Sequence, residues 1–174
     1  MRTPILIAAT MTTGLTAGIF VDWSNAIMPG LSDVDDRTFV TAFQGFDAAI
    51  TNPLFLGLGF TGAVVFTGVS AALHLRPAQR PVLIWVGSAL ACYLVVWGIT
   101  FGVHEPLNEK LRSVGELDSD ADFAAARALL DEAKWTAWNT VRAVAATVAF
   151  GCLSWALVIH RRFADVAAEE WSAR

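Results

Sequence analysis

The fold turns on the stretch Trp135-Thr136-Ala137-Trp138-Asn139-Thr140-Val141-Arg142 and on the uncharged run Ala143 to Ile159 that follows it. In a helix, positions i, i+3, i+4 and i+7 share one face. Here those positions are Trp135, Trp138, Asn139 and Arg142. Two indoles, an amide and a guanidinium therefore line one stripe, with the arginine a turn or more inside an apolar span. A charge at that depth is costly unless it faces the protein interior or water and has a partner. Arg142 is accordingly expected to point into a helical bundle.

Upstream stand three more uncharged runs, Ile5 to Val21, Pro53 to Leu73 and Val82 to Val103. Each approaches or exceeds the roughly 20 apolar residues that cross a bilayer core. The 174 residues are 55% hydrophobic and only 16% charged, where a soluble domain carries about 25% charged. The chain thus reads as all-α: one integral membrane domain over 1–174, built as a four-helix transmembrane bundle. The spacing places its helices at about 4–28, 53–75, 81–104 and 132–160. The first run exceeds the length of a signal h-region and no A-x-A site precedes Asp22, so it reads as a span rather than a cleaved leader.

The connections carry the remaining signals. Gly14 and Gly18 form a GxxxG step that permits close helix approach, and Asp22 and Asn25 continue that stripe. The expectation is that this stripe faces inward and brings Asp22 to Arg142. Met28-Pro29-Gly30 is expected to end the first helix and Pro106 the third. Asp33, Asp35 and Asp36 suit a helix N-terminus. Phe39, Phe43, Phe46 and Ile50 then recur at helical spacing, which predicts a short amphipathic helix over about 36–50 at the interface. Asn52 reads as an N-cap with Pro53 at the first helical position. Residues 107–134 read as a long acidic loop with a short helix around Asp122 to Leu130.

Orientation follows from arginine placement. Arg2, Arg76, Arg80, Arg161 and Arg162 fall on one side, so a cell-membrane protein with both termini cytoplasmic is expected. The amphipathic helix is then extracytoplasmic. Cys92 and Cys152 each sit mid-run with no CxxC, which argues against a thiol-oxidising enzyme. No basic patch with interleaved aromatics suggests nucleic acid. His74 and His160 share the cytoplasmic end, but both adjoin arginines at the interface, a poor setting for haem.

The polar side chains converge on the opposite end. Asp22, Asn25, Gln44, Asp47, Asn52, His104, Glu105, Asn108, Trp135, Trp138, Asn139 and Arg142 all fall there. A pocket of carboxylates, amides, one imidazole and one guanidinium walled by indoles can bind a small molecule. Alternatively, the tryptophans are aromatic-belt residues and the polar groups lock helix packing. His104 alone cannot hold a metal. With Asp22, Glu105 or Asp47 it could form a histidine–carboxylate site, but no HxxxH-type spacing supports one, and no cofactor is expected.

These residues carry a family resemblance. Asp22-Trp23-Ser24-Asn25, Met28-Pro29-Gly30-Leu31, Phe43-Gln44, Asn52-Pro53, Pro106-Leu107-Asn108, and Trp135 with Trp138-Asn139-Thr140-Val141-Arg142 occur in an order that resembles the DUF1772 family. Its members include proteins called anthrone oxygenases. Asp47 stands where that family frequently has asparagine, and His104-Glu105 where Asn-Val is common. The resemblance implies a four-helix membrane protein. For some members it implies oxidation of an anthrone to an anthraquinone with no known organic cofactor, the substrate being a small aromatic of polyketide type and the oxidant O₂. Residue chemistry then suggests roles. His104, Asp22 or Asp47 could be the base, Arg142 and Asn139 could hold an oxyanion, and Trp135 and Trp138 could stack on the rings. Asn25, Gln44, Asn52 and Asn108 would add contacts to the substrate. The competing reading is a non-catalytic accessory or binding bundle. A structural cluster should pair off and leave no cavity; a site should leave an open pocket with unpaired polar groups. A transporter would show an internal repeat or matching broken helices, and neither is visible.

Overall fold

In the computed structural model, residues 2–115 and 117–172 are described, the last ten as backbone only. All the regular elements among them are helical. Four stretches are long and apolar enough to cross a membrane. The helices are α1 (Arg2–Ser32), α2 (Asp36–Ile50), α3 (Pro53–Leu73), α4 (Pro77–Arg112), α5 (Asp120–Leu130) and α6 (Glu132–Ser172). The chain is therefore the multi-pass bundle that its uncharged runs predict.

α6 packs against both α4 and α1, and α1 packs against α3. The α6 face at this junction is Ala143, Ala146, Ala149, Leu153 and Ala156, all buried. Small side chains let helices approach closely where lipid offers no hydrophobic drive to associate. The outer faces present Met11, Leu15, Ile84, Leu94 and Val144, as a lipid-facing surface should. A second apolar core caps one end of the bundle. Met28, Phe39, Phe43, Leu107, Leu111, Phe123, Leu130 and Trp135 meet there, drawn from the end of α1, from α2, the end of α4, α5 and the start of α6.

Two prolines expected to stop helices do not. α1 runs through Pro29 to Ser32 and α4 through Pro106 to Arg112. Each proline follows a widened π-helical turn, Trp23–Ile27 in α1 and Thr100–His104 in α4. In these turns the Met28 N–H donates to the Trp23 carbonyl and the Glu105 N–H to the Thr100 carbonyl. Such i→i−5 bonding shifts the carbonyl that a proline ring would strike and absorbs its missing donor. The 107–134 segment is accordingly not a long loop. The end of α4 and all of α5 fill most of it, and α5 opens with a reciprocal Ser119–Asp122 capping box.

The other termini form as the sequence predicts. Asp35 caps α2, its carboxylate accepting from the Thr38 N–H at 3.0 Å and the Thr38 hydroxyl at 2.7 Å. The Thr38 backbone bond, then the hydroxyl, holds the Asp35 carboxyl below its ordinary value. Asn52 caps α3 by accepting from the Phe55 N–H at 2.9 Å. Phe39 and Phe43 are buried in the cap, whereas Phe46 remains 45% exposed and touches only the edge of the cluster, against Trp23.

Candidate functional site

Arg142 points into the bundle, as its stripe requires, and is 7% exposed. Its partner is not Asp22. The Nε and one terminal nitrogen donate to Asn139 Oδ1 at 3.2 and 2.6 Å, and the other terminal nitrogen donates to Thr100 Oγ1 at 3.2 Å. The guanidinium lies over the Phe20 ring, 4.1 Å from its centroid. Asp22 is exposed and makes no ion pair among the described residues. The correction has a geometric cause. The inward face of α1 is Leu6, Ala9, Thr13, Thr16, Phe20 and Trp23, so the Gly14–Gly18–Asp22–Asn25 stripe is turned away from it. Gly14 meets the Phe150 ring, but Gly18 faces open space and Asn25 lines a shallow outer groove between α1 and α6.

Asn139 is fully buried and fully used. Its Nδ2 donates to the Phe20 carbonyl at 3.0 Å and to Ser24 Oγ at 2.7 Å, while Oδ1 takes both arginine bonds. It fastens Arg142 to α1. A guanidinium has five N–H donors, and three are committed, which leaves two free at a wall of the adjoining cavity.

That cavity, of about 90 Å³, lies where the bundle meets its cap. Its polar lining includes Arg142, Thr100, His104, Asp47 and Asn108, and its aromatic walls are Phe20, Trp23, Phe43, Phe55 and Trp135. His104 is buried, with Nε2 3.2 Å from the Trp135 carbonyl and the Trp135 ring edge-on at 4.8 Å. Because a carbonyl only accepts, Nε2 carries the proton and Nδ1 is the basic nitrogen of the neutral ring. Nδ1 is buried and has no hydrogen-bond partner among the described residues.

The rest of the polar cluster pairs off. Trp135 Nε1 donates to Asn108 Oδ1 and Asn108 Nδ2 donates to Asp47 Oδ1, both at 2.8 Å. Arg112 Nε stands 2.7 Å from Asp47 Oδ2 in an ion-pair contact off the hydrogen-bonding direction. Arg112 also reaches Glu105 and Glu109 at 2.8 Å each. This chain ties α2 to α4 and α6 and fixes the Trp135 indole.

Of the candidate residues, the structure brings His104, Glu105, Arg142, Asp47, Asn108 and Trp135 to one cavity, with Asn139 behind Arg142. It places the others elsewhere. Gln44 donates to the Leu111 carbonyl at 2.8 Å and serves the cap. Asn52 is spent on capping α3, and Trp138 is 41% exposed, a belt residue. Phe20, Thr100 and Phe55 also enter the site; Thr100 shares a helix face with His104 at i, i+4, a spacing legible in the sequence. Nothing in the sequence sets Phe20 apart from other apolar residues of α1. Among the described residues no three His, Cys, Asp or Glu side chains gather as metal ligands would.

Four apolar helices with a polar cavity under a helical cap define a multi-pass membrane protein. The anthrone oxygenase family model matches residues 51–152, more than half of the sequence, and the chain belongs to that family. The matched stretch holds α3 to α5 and most of the α6 span, hence His104, Asn108, Trp135, Asn139 and Arg142. Neither a curated protein nor a solved structure matches the chain.

Proposed function

We propose that this protein oxidises an anthrone-type aromatic ketone with O₂, the reacting ring presented to the cavity beside Arg142. One observation carries the reading: a guanidinium with two uncommitted N–H groups and an imidazole whose Nδ1 has no hydrogen-bond partner both line one small, aromatic-walled cavity. An anthrone has a CH₂ para to its carbonyl. Removing a proton from that carbon moves negative charge onto the carbonyl oxygen. His104 is the base, since Asp47 is engaged by Arg112 and Asn108 and Asp22 lies outside the cavity. Arg142 stabilises the oxyanion. The resulting anthranolate reduces O₂ and forms a carbon–oxygen bond. Loss of water from the hydroperoxide leaves the second carbonyl, so CH₂ plus O₂ becomes C=O plus H₂O.

The test uses the full chain in lipid nanodiscs with a dihydroxyanthrone, subtracting spontaneous oxidation. Quinone formation with one labelled oxygen atom from ¹⁸O₂ is expected. A positioned base contributes about 10²–10⁴-fold, so His104→Gln should lower kcat by that order while leaving the melting midpoint nearly unchanged. A wild-type rate equal to the spontaneous rate would defeat the proposal. The paired Asp47–Asn108–Trp135 chain is the structural lock of the non-catalytic reading, but that reading gives no use to the free groups on Arg142 and His104.

A further inference from the structure

The cavity is too small for a tricyclic ligand. Its roughly 90 Å³ falls well below the 300–1,000 Å³ or so of ordinary small-molecule pockets. On the lipid-facing side of α1 and α3 lies a second concavity of about 640 Å³, almost wholly apolar. It is lined by Leu15, Thr16 and Ile19 of α1 and by Leu58 and Gly59 of α3, among others. Ile50 and Phe55 line both spaces. They form the shared wall, and both are only partly buried.

The wall is suited to moving. Phe55 belongs to the π-helical first half of α3, Pro53–Thr61, which contains Gly57 and Gly59. A π-helical stretch has poorer packing about its axis than an α-helix. Phe55 stands edge-on to Phe20 at 6.5 Å and stacked with Phe60 at 6.3 Å. Replacing one ring contact with another costs little, so an incoming flat ring can take Phe55's place against Phe20 and Phe60, which also touch each other.

We infer that the groove between α1 and α3 is the substrate's binding and entry site. A flat, apolar, polycyclic aromatic dissolved in the bilayer enters sideways past Ile50 and Phe55. One outer ring lies in the groove and the central ring, which carries both the carbonyl and the CH₂, reaches Arg142 and His104. The inference rests on the proposed oxidation for its substrate class, but the groove's binding role can be read without turnover.

The experiment uses the full chain in phosphatidylcholine nanodiscs, with fluorescence titration of a dihydroxyanthraquinone as the binding probe and dihydroxyanthrone oxidation as the activity. Gly59→Leu fills the groove: its Cβ would meet Thr16 Oγ1 at 3.5 Å, an ordinary contact. Gly57→Leu, two residues away with nothing within 4 Å, is the matched control. Leu15→Trp fills the groove from α1 should Gly59→Leu fail to fold. Filling the groove is expected to raise the probe Kd and the KM at least tenfold with kcat within about twofold, and Gly57→Leu to change neither. If wild type binds the probe but does not oxidise dihydroxyanthrone, and filling abolishes that binding, the groove stands and the oxidation fails. Unchanged binding and KM in the filled variants, or no binding of the probe to wild type, overturns the groove.

Discussion

Arg142 takes a formal charge into the bundle with no carboxylate to meet it. Its surroundings are an amide oxygen, a hydroxyl and the face of a phenyl ring. A guanidinium is weakly hydrated and stacks on aromatic faces, so it tolerates this environment better than an ammonium would. Asn139 then matters more for stability than the charge it holds. Asn139→Ala removes two of the three hydrogen bonds to Arg142, leaving it on Thr100 and the Phe20 ring, and takes the Nδ2 donor from the Phe20 carbonyl and Ser24 Oγ of α1. A buried charge stripped of its partner costs on the order of 3–5 kcal/mol. Arg142→Gln removes the charge itself and is expected to cost about 1–3 kcal/mol, as for an unsatisfied buried polar group. Asp22→Asn, at an exposed site, should stay within about 0.5 kcal/mol. Denaturant unfolding in a mild detergent checks the order, and an Asn139→Ala protein as stable as Arg142→Gln would contradict it. The inward aim of Arg142 was legible because a charge in an apolar run has few places to go. Its partner was not, because lipid and bundle interior are both apolar. A GxxxG stripe in such a helix does not say which side it faces, and here the threonine-bearing face won.

At the scale of elements, the cap is held to the bundle by one polar chain from α2 through α4 to α6. Asp47 is its middle, taking Asn108 and Arg112. Phe39, Phe43, Phe46 and Ile50 made α2 legible as an amphipathic helix, Asp33, Asp35 and Asp36 marked its N-terminus without saying which of them caps it, and Asn52 fixed where α3 begins. The continuation of α1 and α4 past their prolines was not legible, since a π turn has no distinctive side-chain pattern and depends on the cap packing around Met28 and Leu107. Asp47 is expected to be a tie rather than a base, and Arg112 tests this. Arg112→Gln leaves the carboxylate with Asn108 alone. Arg112 is about 38% exposed on its side chain, so solvent screening reduces the loss from that of a buried pair to about 1–2 kcal/mol. The loss should appear as faster amide exchange in α2, with exchange in the middle of α6 unchanged. Uniform acceleration across both helices would mean that the cap and bundle do not separate in this way.

The whole molecule is polarised along its long axis, and this sets its expected orientation. The uncapped end has a short turn between α3 and α4 that carries Arg76, Arg80 follows in the first turns of α4, and Arg2 and Arg161–Arg162 fall at the same end. The capped end also has cations, but they are built into a folded layer. Arg37 meets Asp120, Arg112 meets Asp47, Glu105 and Glu109, and Arg127 meets Asp36 and Glu132. Arginines in short turns beside span ends retain a chain segment in the cytoplasm most effectively. The α3–α4 turn and both termini are therefore expected to be cytoplasmic and the cap extracytoplasmic, which would place the Arg142 cavity near the outer leaflet. The measurement is cysteine accessibility in sealed cells, in a background with Cys92 and Cys152 replaced by serine. Ala78→Cys lies in the short turn and Asp118→Cys between α4 and α5, both exposed and clear of the Ser119 capping box. A membrane-impermeant maleimide should label position 118 in intact cells and position 78 only after permeabilisation. The reverse pattern would invert the molecule and put the cavity at the inner leaflet. Labelling of both positions in intact cells would contradict a four-span topology outright, because α4 must separate them.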